Sequence, residues 1–141
     1  MILTALPTFA SSSTPVDARL VLVALAYLLT KHAVADYFLQ GRYQWGNKGR
    51  YGHPGGIVHS AVHAALTAPV FLIVAAPSFM LGAALLGAEF LIHYHVDWLK
   101  DRIVRARGWT AGDAMFWHAI GIDQLLHGLT YIAIVWMLLS S

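Results

Sequence analysis

The sequence predicts an all-α integral membrane protein, a bundle of four transmembrane helices with a polar His/Asp cluster in one half. Three observations lead there. The 141 residues are 58% hydrophobic and only 11% charged, with a mean hydropathy of +0.61. The apolar residues collect into four stretches of about 20 residues, each sufficient to cross a hydrocarbon core of about 30 Å. Each stretch also carries ionisable residues spaced four apart. An average soluble domain is about a quarter charged, and so short a chain folded in water hides only part of its apolar surface. A bilayer takes up the remainder.

Residues 1–17 read as a short head without the basic segment and cleavage site of a signal peptide. A single domain follows over 18–139. The first span runs from Ala18 to Leu39, the second from Gly56 to Ala76, the third from Phe79 to Leu99 and the fourth from Phe116 to Leu139. Ala75 to Ser78 makes a tight connection, in which Pro77 ends one helix or starts the next. The connection from Gly41 to Gly55 is polar and glycine-rich. The one from Lys100 to Ala114 is basic and contains Gly108 and Gly112.

Seven of the nine Lys and Arg fall in those two long connections: Arg42, Lys48, Arg50, Lys100, Arg102, Arg105 and Arg107. The positive-inside rule assigns that side to the cytoplasm, which puts both termini on the outer face. The bases form no stripe on a polar helix face, which argues against a nucleic-acid partner. With no Cys, disulfides and thiolate metal sites are excluded.

Ionisable side chains inside spans are costly; they face the bundle interior and mark function. The first span carries His32 and Asp36, followed by Gln40; the second carries His59 and His63. The third carries Glu89, His93 and Asp97, and the fourth Asp123 and His127. Spacing i, i+4 stacks each pair on one helix face. His32/Asp36 and His93/Asp97 end inward-running helices, whereas His59/His63 and Asp123/His127 begin outward-running ones. At about 1.5 Å per residue all eight fall in one layer of the cytoplasmic half.

Imidazole and carboxylate at i, i+4 form the ligand set with which helices bind divalent metals. Five His and three Asp provide for one or two ions plus supporting partners. Zinc fits the ligand types best, with manganese, iron and magnesium as alternatives. A metal with an open position can acidify a water for hydrolysis, and Asp36, Glu89 or Asp123 is then the candidate base. The bland alternative is hydrogen-bonded glue between helices, worth about 1 kcal/mol per pair or less. His95 lies off the His93 face, leaving open which imidazole faces the centre. His118 reads as interfacial, His53 as a solvated loop residue and Lys48 as part of a basic rim. Tyr43, Trp45, Trp98, Trp109, Trp117 and Trp136 read as interfacial anchors. Gly82, Gly87 and the neighbouring Ala residues give the third span a small face for close packing.

The string Lys31 to Gln40 (KHAVADYFLQ), then Trp45 and Lys48, resembles the opening of the domain-of-unknown-function 3307 family of small bacterial and phage membrane proteins. The resemblance continues through His59 and His63, then His93 to Lys100, and closes at Asp123 to His127 (DQLLH). It implies a membrane fold, in a bacterium the inner membrane, and no particular chemistry. The layout is also distantly similar to membrane-bound metal-dependent hydrolases.

The leading functional expectation is therefore a zinc-dependent hydrolase at the cytoplasmic leaflet, whose substrate carries an anionic lipid headgroup attracted by the basic rim. Its rivals are a structural metal site, an ion or proton pathway, an accessory subunit with a membrane partner, and a bis-His haem electron carrier. The small-residue face also leaves room for a homodimer.

Overall fold

The computed structural model describes residues 17–141; the head expected over 1–17 lies outside these residues except for Asp17. Asp17 is the N-cap of α1 (Ala18–Val34), where its side chain accepts a hydrogen bond from Arg19 N at 2.9 Å. The helix continues through a widened π-helical turn, Ala35–Leu39. A short α2 (Arg42–Trp45) opens the first connection. Next comes α3 (Pro54–Thr67), with Pro54 in the first turn, where its missing N–H costs nothing. The long helices α4 (Phe79–Arg107) and α5 (Ala114–Ser140) complete the chain. Among the described residues there is no strand.

Four helical segments are long and apolar enough to cross a membrane: 18–39, 54–72, 79–107 and 114–140. They form a closed ring in which α1 packs on α3, α3 on α4, α4 on α5, and α5 back on α1. Only 28–39% of each apolar window is buried. The outward side chains are themselves large and apolar: Leu72 is 90% and Phe79 92% exposed. Water would not tolerate such a surface, whereas lipid does.

Two boundaries differ from the sequence reading. The second span, expected to reach Ala76, leaves α geometry at Thr67 and tightens into a 3₁₀ turn over Ala68–Leu72. Pro69 explains this, since it cannot donate the next helical hydrogen bond. The third span, expected to end at Leu99, runs on as helix to Arg107. Gly108 then stops it in the left-handed conformation (φ +64°). The basic stretch from Lys100 to Arg107 is thus helix instead of loop.

The interior divides along the bundle. Ala24, Leu28, Val70, Leu85, Tyr131, Ile134, Val135 and Leu138 fill one half as a hydrophobic core. The other half is polar, holding buried His32, Lys48, His59, His63, His93, Asp97, Asp123 and His127.

Candidate metal centre

Each polar residue reaches the centre for a local reason. On α3, α4 and α5 the i, i+4 pairs point along one inward stripe. Asp36 sits in the π-helical turn, whose extra residue per turn re-aims the side chain; such turns recur at functional sites. Gln40 Nε2 holds the turn by donating to Asp36 O at 2.8 Å.

The four helices bring these side chains together. Asp36 Oδ1 is 3.2 Å from both His59 Nε2 and His63 Nε2, and Asp36 Oδ2 is 3.2 Å from His32 Nε2. His59 Nε2 and His93 Nε2 are 3.1 Å apart. Asp97 Oδ2 lies 3.1 Å from the first and 3.3 Å from the second. His127 Nε2 is 3.7 Å from Asp97 Oδ1 and 3.6 Å from Asp123 Oδ1. Two overlapping groups can hold a metal ion: Asp36, His59, His63 and His93, and then His93, Asp97 and His127. His93 belongs to both.

The donor set fits a metal on two counts. Ligand atoms about 2.0–2.1 Å from a tetrahedral zinc are about 3.3 Å from one another. The contacts of Asp36, His59, His93 and Asp97 Oδ2 lie at 3.1–3.3 Å, and those of His127 are longer, at 3.6–3.7 Å. Moreover Asp36 Oδ1, His63 Nε2, Asp123 Oδ1 and His127 Nε2 are buried without an aligned hydrogen-bond partner. They approach one another closely but do not bond to one another, the pattern of groups converging on a shared point. Buried polar atoms otherwise find partners. His32, expected among the ligands, lies outside both groups; its Nδ1 is 2.9 Å from the Tyr131 hydroxyl and its Nε2 3.2 Å from Asp36 Oδ2.

Other residues fall outside these groups. Asp123 is buried beside them and reaches Lys100 Nζ at 3.6 Å. Glu89 is set apart: its Oε1 accepts from Lys31 Nζ at 2.6 Å. Lys31 also donates to His63 O at 3.0 Å. The structure places His93 inside and His95 outside, where His95 Nδ1 is 2.7 Å from Leu91 O. His53 is a helix cap and not a freely solvated loop residue, because its Nδ1 accepts from Gly55 N at 3.0 Å.

Lys48 is the main departure. Read as a basic rim, it is buried at 5% exposure, with Nζ 2.9 Å from Asp97 Oδ2 and 4.0 Å from Asp36 Oδ1. The connection folds inward to put it there. Gly52 takes a positive φ (+75°), and its N–H donates to the Tyr94 hydroxyl at 2.6 Å. Gly55 lies so close to the chain that a Cβ would stand 2.5 Å from Tyr43 O. Lys31 is also buried, a lone base deep in the first span beside His32.

Outside the spans, Thr110 N and Oγ1 both donate to Asp113 Oδ2, at 2.7 and 2.9 Å. These bonds hold the Asp113 carboxyl below its usual pKa.

Residues 24–141 match the family described as Protein of unknown function (DUF3307). The chain belongs to that family. The DUF3307 match covers α1 from Ala24 onward, all of α3, α4 and α5, and every residue of the His/Asp cluster. Comparison with curated proteins and with solved structures finds no match.

Proposed function

We propose that this DUF3307 protein is a membrane-embedded, zinc-dependent hydrolase acting on a lipid-linked phosphate, ester or amide at the bundle's basic face. The observation that carries the reading is the convergence of His59 Nε2, His93 Nε2 and Asp97 Oδ2 to mutual separations of 3.1–3.3 Å. Zinc is favoured by imidazole and carboxylate donors at tetrahedral spacing. When bound, it supplies Lewis acidity and lowers the pKa of water to about 7.

The chain's own residues divide the remaining work. His59, His63, His93 and Asp36 form one ligand group, and Asp97 and His127 extend it from His93. Asp123 belongs to neither group, and we assign it the role of proton acceptor. In hydrolysis the water oxygen bonds to the attacked phosphorus or carbonyl carbon while the bond to the departing oxygen or nitrogen breaks. The water proton passes to Asp123 and from there to the leaving group. Lys48 and Lys100 place ammonium groups beside the carboxylates, where they attract an anionic headgroup. The likeness to membrane-bound metal-dependent hydrolases is one of arrangement, and arrangement does not fix chemistry.

The competing reading is a self-contained polar network, favoured by the Lys48 Nζ contact to Asp97 Oδ2 at 2.9 Å. Haem is disfavoured, because the His63 and His93 ring centroids are 3.8 Å apart and those of His93 and His127 4.1 Å. Rings stacked so closely leave no slot for a porphyrin.

Elemental analysis of detergent-purified protein beside His59→Ala/His63→Ala separates the readings. One or two equivalents of zinc, lost in the double variant, support the metal centre on which the hydrolase reading depends. No metal in either sample, even after reconstitution, supports the polar network. We further propose that the basic end faces the cytoplasm of a bacterial inner membrane. The Cys-free chain allows a direct test by labelling Ala111→Cys and Ala76→Cys in intact cells. Reaction at position 76 alone supports this orientation, and reaction at 111 alone reverses it.

A further inference from the structure

A trough of about 400 Å³ opens between α4 and α5, walled by Val96, Leu99, Ile103, Met115 and Ile122. Lys100 and Asp123 line it too, and both belong to the polar layer of the metal centre. A second hollow of about 340 Å³ shares Val96 and Leu126 with the first and continues past Ala133 to Met137 and Leu85. The two form one apolar furrow along the outside of the helix pair, meeting the centre at Lys100. From Lys100 back to Leu85 the wall is ~22 Å long at ~1.5 Å per residue. That length holds a whole hydrocarbon chain, since one leaflet is ~15 Å thick.

We propose that this furrow seats the hydrocarbon chain of a bilayer lipid whose phosphate headgroup carries net negative charge, and that Lys100 binds its phosphate. The assignment rests on the hydrolase reading and narrows its substrate class to lipid phosphates. Charge balance supports the choice. Asp36, Asp97 and Asp123 face the ammonium groups of Lys48 and Lys100. A single divalent cation therefore turns the layer net positive, and an anionic headgroup restores neutrality. An amphiphile with an apolar tail and anionic head matches an apolar furrow that meets an ammonium group. A helix of a second copy would instead press Lys100 and Asp123 against an apolar face.

The test is native mass spectrometry of the detergent-solubilised full chain, with dioleoyl phosphatidic acid and dioleoyl phosphatidylcholine as probes and metal content measured in parallel. Wild type is expected to retain phosphatidic acid with a preference of about tenfold. Val96→Phe and Ala119→Phe, which fill the furrow from opposite walls and replace no ligand, lower retention by about tenfold and keep wild-type metal. Lys100→Met abolishes the preference between the lipids. Equal retention in both Phe variants overturns the proposal, as does a wild type without lipid preference. A wild-type dimer that only the Phe variants dissociate, with lipid retention unchanged, assigns the furrow to a second copy and also overturns it. If the lipid pattern holds in a protein without metal, the furrow assignment stands and the hydrolase reading fails.

Discussion

His59 Nε2 and His93 Nε2 meet at 3.1 Å across the interface of α3 and α4, each within 3.3 Å of the same Asp97 oxygen. Because His93 contributes to both ligand groups, its loss differs from that of any other histidine. His93→Ala is expected to retain no stoichiometric metal, whereas His63→Ala, which leaves His93, Asp97 and His127 in place, retains a fraction. Elemental analysis of the two variants checks this. Chelation should lower the wild-type Tm toward that of His93→Ala and leave the variant unchanged, since a ligand bound only by the folded state stabilises it.

The ion pair of Lys31 and Glu89 is buried on both sides, at 5% and 1% exposure. Lys31→Met strands a buried carboxylate and is expected to cost about 3–5 kcal/mol, most of which Lys31→Met/Glu89→Gln recovers. Thermal unfolding in micelles measures both. An additive loss in the double variant would show that the two side chains do not act as a pair.

Gly55→Ala puts a Cβ against Tyr43 O, so the connection that carries Lys48 inward must move. The expected cost is about 1–3 kcal/mol, as for other overpacked sites. Gly52→Ala meets no atom and suffers only from its positive φ, roughly 1–2 kcal/mol. Gly55→Ala should also let an amine-reactive probe reach Lys48, and Gly52→Ala should not.

Asp113 gives a pH signature. Its carboxyl is held below the ordinary range by Thr110. Its contribution is therefore complete above the unfolded pKa of about 3.9 and fades as pH falls through the lower folded value. The Tm difference between wild type and Asp113→Ala should be constant near neutrality and vanish in strong acid. A difference that grows on acidification would reverse the assignment.

The four spans and their His/Asp pairs were legible because hydropathy and helical period are local properties. Side chains four apart must share a helix face, whatever the helix packs against. Lys48 was not legible, because its burial depends on how the chain from Gly41 to Gly55 folds back, which no period encodes. The glycines at 46, 49, 52 and 55 were a usable hint, since glycine recurs where backbones approach closely. Pro69 was a plainer one: it lies inside the second expected span and ends its α geometry. Lys31 was conspicuous by rule, as a base inside an apolar span. Its partner Glu89 lies 58 residues away, a distance over which sequence pattern carries no pairing information.

That separation also bears on how the protein is made. The ammonium group of Lys31 emerges with the first span, and the carboxylate that neutralises it emerges with the third. At about 5–20 residues per second, the ribosome needs about 3–12 s to bridge the gap. During that interval the first helix cannot settle alone in lipid without an unpaired charge, and it remains beside the insertion channel or holds Lys31 toward water. The buried pair therefore forms in a set order, with Lys31 waiting at the channel or turned toward water until α4 brings Glu89.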